Sequence, residues 1–301
     1  MTDNPTSIAP KPATHVALVY QPIADGALAV AETCGKTLAD WGREGRLLSA
    51  RELENAPSAR AFDLVVALGG DGTILRAARW IDGAQVPIVG VRMGRLGFLA
   101  ELEPGDVHRA LRPYIDGDYW VDSRTMLAAS VVDDPGAGPS GFSTPPAGGA
   151  PKPASQEFTA LNDIVVGHGQ TLRTVTLDLG MNGQPVHRFR ADGLIVASAT
   201  GSTAYSFAAG GPVLAPGSRD LVVTAICPHI SALRSLVVPS DARLSLQVWT
   251  EEPAVLTVDG QIDRLLEDGA IVEVCLSTST TIFARREAPP VLYSRILGKL
   301  S

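Results

Sequence analysis

Gly69-Gly70-Asp71-Gly72-Thr73 decides how this chain is read. Five apolar residues, Leu64 to Leu68, lead into it, and Ile74-Leu75-Arg76-Ala77-Ala78-Arg79-Trp80 follows. A short, unbroken apolar run bounded by Asp63 and glycine is the pattern of a buried parallel strand. The Ala-, Leu- and Arg-rich stretch predicts a helix with Thr73 near its N-terminus. A strand that turns through glycines into a helix offers unpaired backbone N–H groups and a positive dipole end, where phosphate binds. Glycine lets the backbone approach a phosphate closely and adopt φ > 0. A carboxylate in such a turn repels phosphate, and makes sense if it takes a proton from an attacking hydroxyl or helps to hold Mg²⁺. The plainer alternative is an Asp-Gly turn between strand and helix. On this stretch by itself both stand.

Outward from the turn, strands and helices alternate. His15–Tyr20 is a first strand, and Ala27, Leu28, Ala31, Cys34, Leu38 and Trp41 fall on one helical face. Val86–Val91 is another buried strand, and Val107, Leu111, Tyr114 and Ile115 mark a further helix. This alternation predicts an open, mostly parallel α/β sheet whose ligands sit at the carboxyl ends of its strands. Beyond Leu127–Val132 the pattern changes. Asp133 to Gln156 is dense in Pro, Gly and Ser, and its composition predicts a mobile loop. Period-two patterns then dominate: Val175, Leu177 and Leu179 alternate with Thr174, Thr176 and Asp178, and Asn182-Gly183 is a hairpin signal. Further strands are expected at Leu194–Ala197, Leu221–Ile226, Leu236–Val238, Leu244–Trp249, Val255–Val258, Ile271–Leu276 and Thr280–Ala284. The expected architecture is an α/β N-terminal domain over residues 1–122 and a β-rich C-terminal domain over 123–301, with about 285–301 able to return to the first domain. The active site is expected in the cleft between them.

Composition narrows the partners. The 301 residues are 45% apolar and 19% charged, with a net charge of −7 and no lysine or arginine cluster. Nucleic acid and anionic membrane surfaces are therefore not expected partners. Cys34, Cys227 and Cys275 are scattered, without metal or redox spacing, and read as small core residues of a reducing compartment. The N-terminal tail lacks an apolar signal-peptide core, and the uncharged Gly193–Ser218 stretch contains Pro212 and Pro216, so no membrane span is expected. The expected location is cytoplasmic. Gly35-Lys36-Thr37 lacks the leading glycine of a P-loop, GxGxxG fails at Leu75, and HExxH and GxSxG are absent.

A second stretch carries chemistry: Asp192-Gly193-Leu194-Ile195-Val196-Ala197-Ser198-Ala199-Thr200-Gly201-Ser202-Thr203-Ala204-Tyr205-Ser206. A strand ends in small hydroxyl residues and glycine, which suit ribose and phosphate oxygens, and Tyr205 can stack on a base or hydrogen-bond to it. A tight turn with Ser/Thr caps is the plain alternative.

Together with Gly94-Arg95-Leu96-Gly97-Phe98-Leu99, Leu161-Asn162-Asp163, Gly210-Gly211-Pro212, Pro228-His229 and Asp259-Gly260-Gln261, these stretches resemble the NAD kinase family. That family transfers phosphate from ATP to the 2′-hydroxyl of the adenosine ribose of NAD. The resemblance implies Asp71 as proton acceptor, with Gly72 beside it and Arg76 at a phosphate-contact position. It implies that Asn162 and Asp163 hold the nucleotide where the family has Asn-Glu, the acid here being one methylene shorter. Arg173, Arg190, Asp192 and Gln261 match binding positions, and Arg190 is linked to substrate choice. Thr200, Thr203, Ala204, Tyr205, Ser206, Phe207 and Ala208 match the adenine and ribose pocket, while His229 reads as a core histidine or a ligand. The expected partners are NAD and ATP with Mg²⁺ or another divalent cation, in a dimeric or tetrameric homo-oligomer. Three departures stand out: Ser198-Ala199 replaces Thr-Pro, Arg92 replaces asparagine, and the 133–156 insert is long. The rivals are a lipid kinase of the diacylglycerol or sphingosine type, sharing a GGDGT-like loop, and a non-catalytic dinucleotide sensor, which has no need of Asp71.

Overall fold

The computed structural model describes residues 9–94, 97–132, 156–169, 174–229, 233–288, 294 and 298. The chain divides into two units, Met1–Arg124 with Thr280–Ser301, and Thr125–Ser279.

The first unit contains β1 (His15–Tyr20), α1 (Ala27–Asp40), β2 (Glu44–Ser49), β3 (Leu64–Gly69), α2 (Asp71–Ile81), β4 (Ile88–Arg92), α3 (Val107–Ala110) and α4 (Arg112–Ile115). Its strands lie parallel in the order β2-β1-β3-β4. All six residues of β3 are buried, as the unbroken apolar run requires. Helix α1 turns Ala27, Ala31, Cys34 and Leu38 inward, and α2 buries Thr73, Ile74, Leu75, Ala77, Ala78 and Ile81. Val16, Leu18, Val66, Val89 and Tyr114 share one core with Ala31, Cys34 and Leu38 of α1. Strand β2 is absent from the sequence reading because an edge strand with one buried residue, Leu48, carries no period-two signal. The single helix expected over Val107–Ile115 is two short ones, the second carrying Pro113 in its first turn, where a missing N–H costs nothing.

The second unit follows β5 (Trp120–Val132), a strand that starts seven residues earlier than its apolar run and in which the chain leaves the first unit. It comprises β6 (Gln156–Ala160), β7 (Asp163–His168), β8 (Val175–Met181), β9 (Gln184–Ala191), β10 (Gly193–Ala197), α5 (Tyr205–Ala208), β11 (Leu221–Ile226), β12 (Ser235–Val238), β13 (Leu244–Trp249), β14 (Ala254–Val258), β15 (Ile262–Leu266) and most of β16 (Ile271–Arg285). A six-stranded antiparallel sheet runs β12-β11-β10-β7-β14-β15. A second antiparallel group pairs β16 with β13, β13 with β8, and β8 with β9. Leu177, Leu179, Leu194, Val196, Leu246 and Leu256 lie in one core shared by these strands. Asn182 and Gly183 turn the β8–β9 hairpin with φ 53° and 77°, the left-handed pair of a type I′ turn. The two strands expected at 271–276 and 280–284 are one, β16, whose end returns to the first unit with Phe283 opposite Ile88 of β4. The architecture is an α/β unit of parallel strands and a β-rich unit of antiparallel ones.

Candidate functional site

In the first unit the site is built around the β3–α2 turn. Gly70 precedes α2 with extended backbone (φ −93°, ψ −174°), and Asp71 is the first helical residue. None of Gly69, Gly70 and Gly72 has positive φ, so the turn uses the openness of glycine and not its left-handed freedom. Asp71 is aimed by backbone: Phe98 N–H donates to its Oδ2 at 2.7 Å and Leu99 N–H to its Oδ1 at 3.1 Å. Two amides on one carboxylate fix both its place and its direction. Gly97 leaves room for this, since a Cβ there would lie 2.9 Å from Asp71 Cγ. The GGDGT and GRLGFL stretches are therefore one device. Arg76, one turn into α2, is partly exposed. Arg92, at the position where asparagine was expected, is committed to an ion pair with Glu103.

In the second unit the site gathers around the Leu161-Asn162-Asp163 turn. The Asp259 carboxylate accepts N–H bonds from all three residues, at 3.1, 2.8 and 3.2 Å. The opposite side is held by the β10–α5 connection. Ser198 Oγ donates to the Leu161 carbonyl at 2.5 Å, and Ser198 N–H to the Asn162 carbonyl at 2.9 Å. Gly201 packs directly on the Asn162 backbone and donates its N–H to Ser198 Oγ at 3.2 Å. Serine in place of threonine thus keeps the hydroxyl that the turn needs. Asn162 Oδ1 is buried without a hydrogen-bond partner among the described residues, an acceptor that a ligand N–H or O–H would satisfy.

Asp163, 5% exposed, is pushed from 3.8 up to about 7, first by burial and then by the charge of Asp259. The folded chain therefore keeps a proton that the unfolded chain has already lost across that interval, so this group's contribution to stability falls as pH rises from about 4 to about 7. Asp163→Asn, neutral throughout, is expected to flatten the Tm against pH curve over that window. A curve that matches the parent's in slope overturns the assignment.

Thr200 is buried, Thr203 is partly exposed and donates Oγ to the Thr200 carbonyl at 3.2 Å, and Ala204 leads into α5. Tyr205 and Phe207 are 47% and 37% exposed, aromatic faces left open beside this turn. Burial first, then the charges of Cys227, Asp192 and Asp163, hold the Tyr205 phenol above its usual value. Ser206 is wholly buried and bonds Thr224 Oγ1 at 2.8 Å, so it anchors α5, whereas Ala208 is exposed. Arg190 and Asp192 are exposed and flank buried Ala191, as period two requires. The Arg190 guanidinium does not pair with Asp192: its Nε donates to Thr174 Oγ1 at 3.2 Å. His229 is exposed and so is no core histidine; its N–H donates to the Arg190 carbonyl at 2.8 Å. Gln261 follows the Asp259-Gly260 turn, partly exposed. Arg173 and the 133–155 insert lie outside the described residues. The residue that reasoning from sequence left out of the site is Asp259; its signal was an acid opening an Asp-Gly turn, and the structure gives it three amides to hold.

The ATP-NAD kinase N-terminal domain family matches residues 49–119, and the ATP-NAD kinase C-terminal domain family matches 161–285. An NAD kinase of Dehalococcoides mccartyi is 35% identical over 286 residues, 95% of each chain. The chain belongs to the NAD kinase family. An NAD kinase of Chloroflexus aurantiacus is 33% identical, over 95% of this chain and 98% of that one. Among solved structures, the NAD kinase of Archaeoglobus fulgidus in complex with ATP superposes with a TM-score of 0.73 at 26% identity, over 94% of this chain and 98% of that one. Yeast NADH kinase complexed with NADH shares the fold, with a TM-score of 0.80 at 21% identity over 97% and 87% of the two chains. NAD kinase membership accounts for the two motif groups occurring together, which neither a lipid kinase nor a passive dinucleotide sensor does. Among the described residues no helix is long and apolar enough to cross a membrane.

Proposed function

We propose that this NAD kinase transfers the γ-phosphate of ATP to the 2′-hydroxyl of the adenosine ribose of NAD, with Asp71 as the proton acceptor. The observation that carries the reading is the carboxylate at the start of α2, placed in the glycine turn and aimed by the Phe98 and Leu99 amides. A base held in one direction by two N–H bonds needs no reorganisation when the hydroxyl attacks. Asn162, Asp163, Asp192, Thr200, Thr203, Ala204, Tyr205 and Gln261 hold the dinucleotide. The hydroxyls and backbone of the turn serve its ribose, and the exposed Tyr205 and Phe207 rings serve its base. Arg76 and the open turn at Gly70–Gly72 serve phosphate.

A divalent cation, Mg²⁺ by preference, fits the donor set as a companion of ATP. No group of three or more His, Cys, Asp or Glu side chains among the described residues could cage one. Mg²⁺ is commonly held by nucleotide phosphates, water and one or two carboxylates, and Asp71 retains lone pairs to serve as one. It would neutralise charge on the transferring phosphate. Of the three free cysteines only Cys34 is a core residue, Cys227 being exposed and Cys275 partly so, and that all three are unpaired supports a reducing, cytoplasmic setting. Exposed Leu265 on edge strand β15 supports assembly into a homo-oligomer. The purified chain is expected to form NADP from NAD and ATP in a coupled dehydrogenase assay that requires a divalent cation. Absence of NADP under those conditions overturns the proposal.

Substrate choice falls to Arg190. Its guanidinium is tied to Thr174 beside Asp192, so a positive charge stands at a fixed place near the acid expected to bind the dinucleotide. Oxidised and reduced nicotinamide differ by one positive charge, and a fixed cation acts differently on the two. Arg190→Gly is expected to relax discrimination, raising kcat/KM for NADH relative to NAD at fixed ATP. An unchanged ratio removes Arg190 from specificity.

A further inference from the structure

Arg285, the last residue of β16, is 2% exposed and sits in the same unit as the glycine turn. Its Nη1 donates to the Leu99 carbonyl at 2.7 Å. Its Nε approaches Asp122 Oδ2 at 3.4 Å, and Nη1 lies 3.6 Å from Glu101 Oε2. Neither acid is loose. Asp122 is gripped by Arg124 through two bonds of 2.8 Å, and Glu101 Oε1 accepts the Tyr114 hydroxyl at 2.7 Å. Burying a guanidinium with two carboxylates costs desolvation that an apolar side chain of the same volume would avoid, so the group is poorly explained as a source of stability. What it does is tie one carbonyl, that of Leu99, to two carboxylates that are themselves held in place.

That carbonyl belongs to the residue whose N–H holds Asp71. Leu99 donates to Asp71 Oδ1 on one side and accepts from Arg285 on the other, while Glu101 and Leu102 N–H groups fasten the following residues to the Gly90 carbonyl at 3.0 Å. We propose that Arg285 is a positioning residue for phosphoryl transfer: it pins the Phe98–Leu99 backbone, and through those amides it sets the direction of the Asp71 carboxylate. The inference rests on Asp71 being the proton acceptor. No local pattern marks it, since Arg285 stands 186 residues from Leu99 and outside every quoted motif.

The test is a double-mutant cycle in the full-length protein. Arg285→Lys keeps the charge but reaches one partner at a time, and is expected to lower kcat about tenfold or more while KM for NAD and for ATP stays within about twofold. On an Asp71→Asn background the same substitution is expected to cost almost nothing further, because both act on one group. Asp122→Asn, which leaves Arg285 in place and loosens its aim, gives the same split at smaller size and replaces Arg285→Lys should that variant not fold. Losses that multiply in the double mutant, or a lowered Tm with unchanged kcat, overturn the positioning role. Normal turnover of Asp71→Asn by itself overturns instead the assignment of the base.

Discussion

Asp71→Asn is expected to lower kcat by about 10²-fold or more, the usual scale for losing a general base, with KM for NAD and ATP changed only a few-fold. The carboxamide has nearly the shape of the carboxylate, and the turn that carries it is unaltered. The group is not merely neutralised, however. Asp71 accepts one amide on each oxygen, and an amide nitrogen cannot accept, so asparagine can satisfy either Phe98 or Leu99 but not both. One backbone N–H in this partly buried place then loses its partner, which costs about 1–3 kcal/mol. A modest fall in Tm is therefore expected beside the large fall in turnover, and kcat is to be compared at a temperature where both proteins are folded. Steady-state kinetics with thermal unfolding of the same preparations make the check. Near-normal turnover would reduce Asp71 to a structural tie between the start of α2 and the Phe98–Leu99 backbone.

What the sequence revealed and what it withheld follow from the range of the forces involved. The glycine turn was legible because strand, turn and helix signals are local: β3 is a short apolar run, and α2 alternates buried and open positions at helical spacing. The Asn182-Gly183 turn was legible for the same reason. Strand β7 (Asp163–His168) and strand β15 (Ile262–Leu266) were missed, although motifs at their ends had been singled out. Both are read poorly by periodicity, because β15 is an edge strand whose exposed positions are an acid and a leucine, Asp263 and Leu265, and β7 is interrupted by Gly167 at a close approach to β10. In the site, individual residues could be nominated but not their supports. Gly97 is explained by Asp71, and Asn162 by Asp259 and Ser198, partners that lie 26 to 97 residues away. Such pairings are set by the fold and leave no local pattern. Arg190 and Asp192 both lie exposed about buried Ala191, as period two requires, yet the Arg190 guanidinium bonds Thr174, a contact that no local pattern marks.

Gly201→Ala should have the second large effect, because here the neighbour is backbone. A Cβ on Gly201 would stand 2.5 Å from the Asn162 carbonyl carbon and 2.8 Å from its Cα, and closer still to its carbonyl oxygen. A side chain in the way can rotate; this peptide cannot. It is fastened in front by Asp259, which takes the Asn162 N–H at 2.8 Å, and behind by Ser198, whose N–H bonds the Asn162 carbonyl. Either the Asn162 turn retreats from its bonds or the Thr200–Tyr205 segment is pushed outward, and both segments carry residues proposed to bind NAD. Overpacking of this kind costs about 1–3 kcal/mol, so Tm is expected to fall by several degrees without loss of the fold. The kinetic loss is expected to exceed the thermal one, since misplacing positioned groups by about 1 Å can cost on the order of 10²-fold. It should fall on kcat/KM for NAD more than on KM for ATP. Gly217→Ala is the control: its Cβ meets nothing within 4 Å, so kinetics and Tm should match the parent. If Gly201→Ala lowers Tm as expected yet leaves the NAD kinetics at the level of Gly217→Ala, the turn is a structural joint and Asn162 does not hold the dinucleotide.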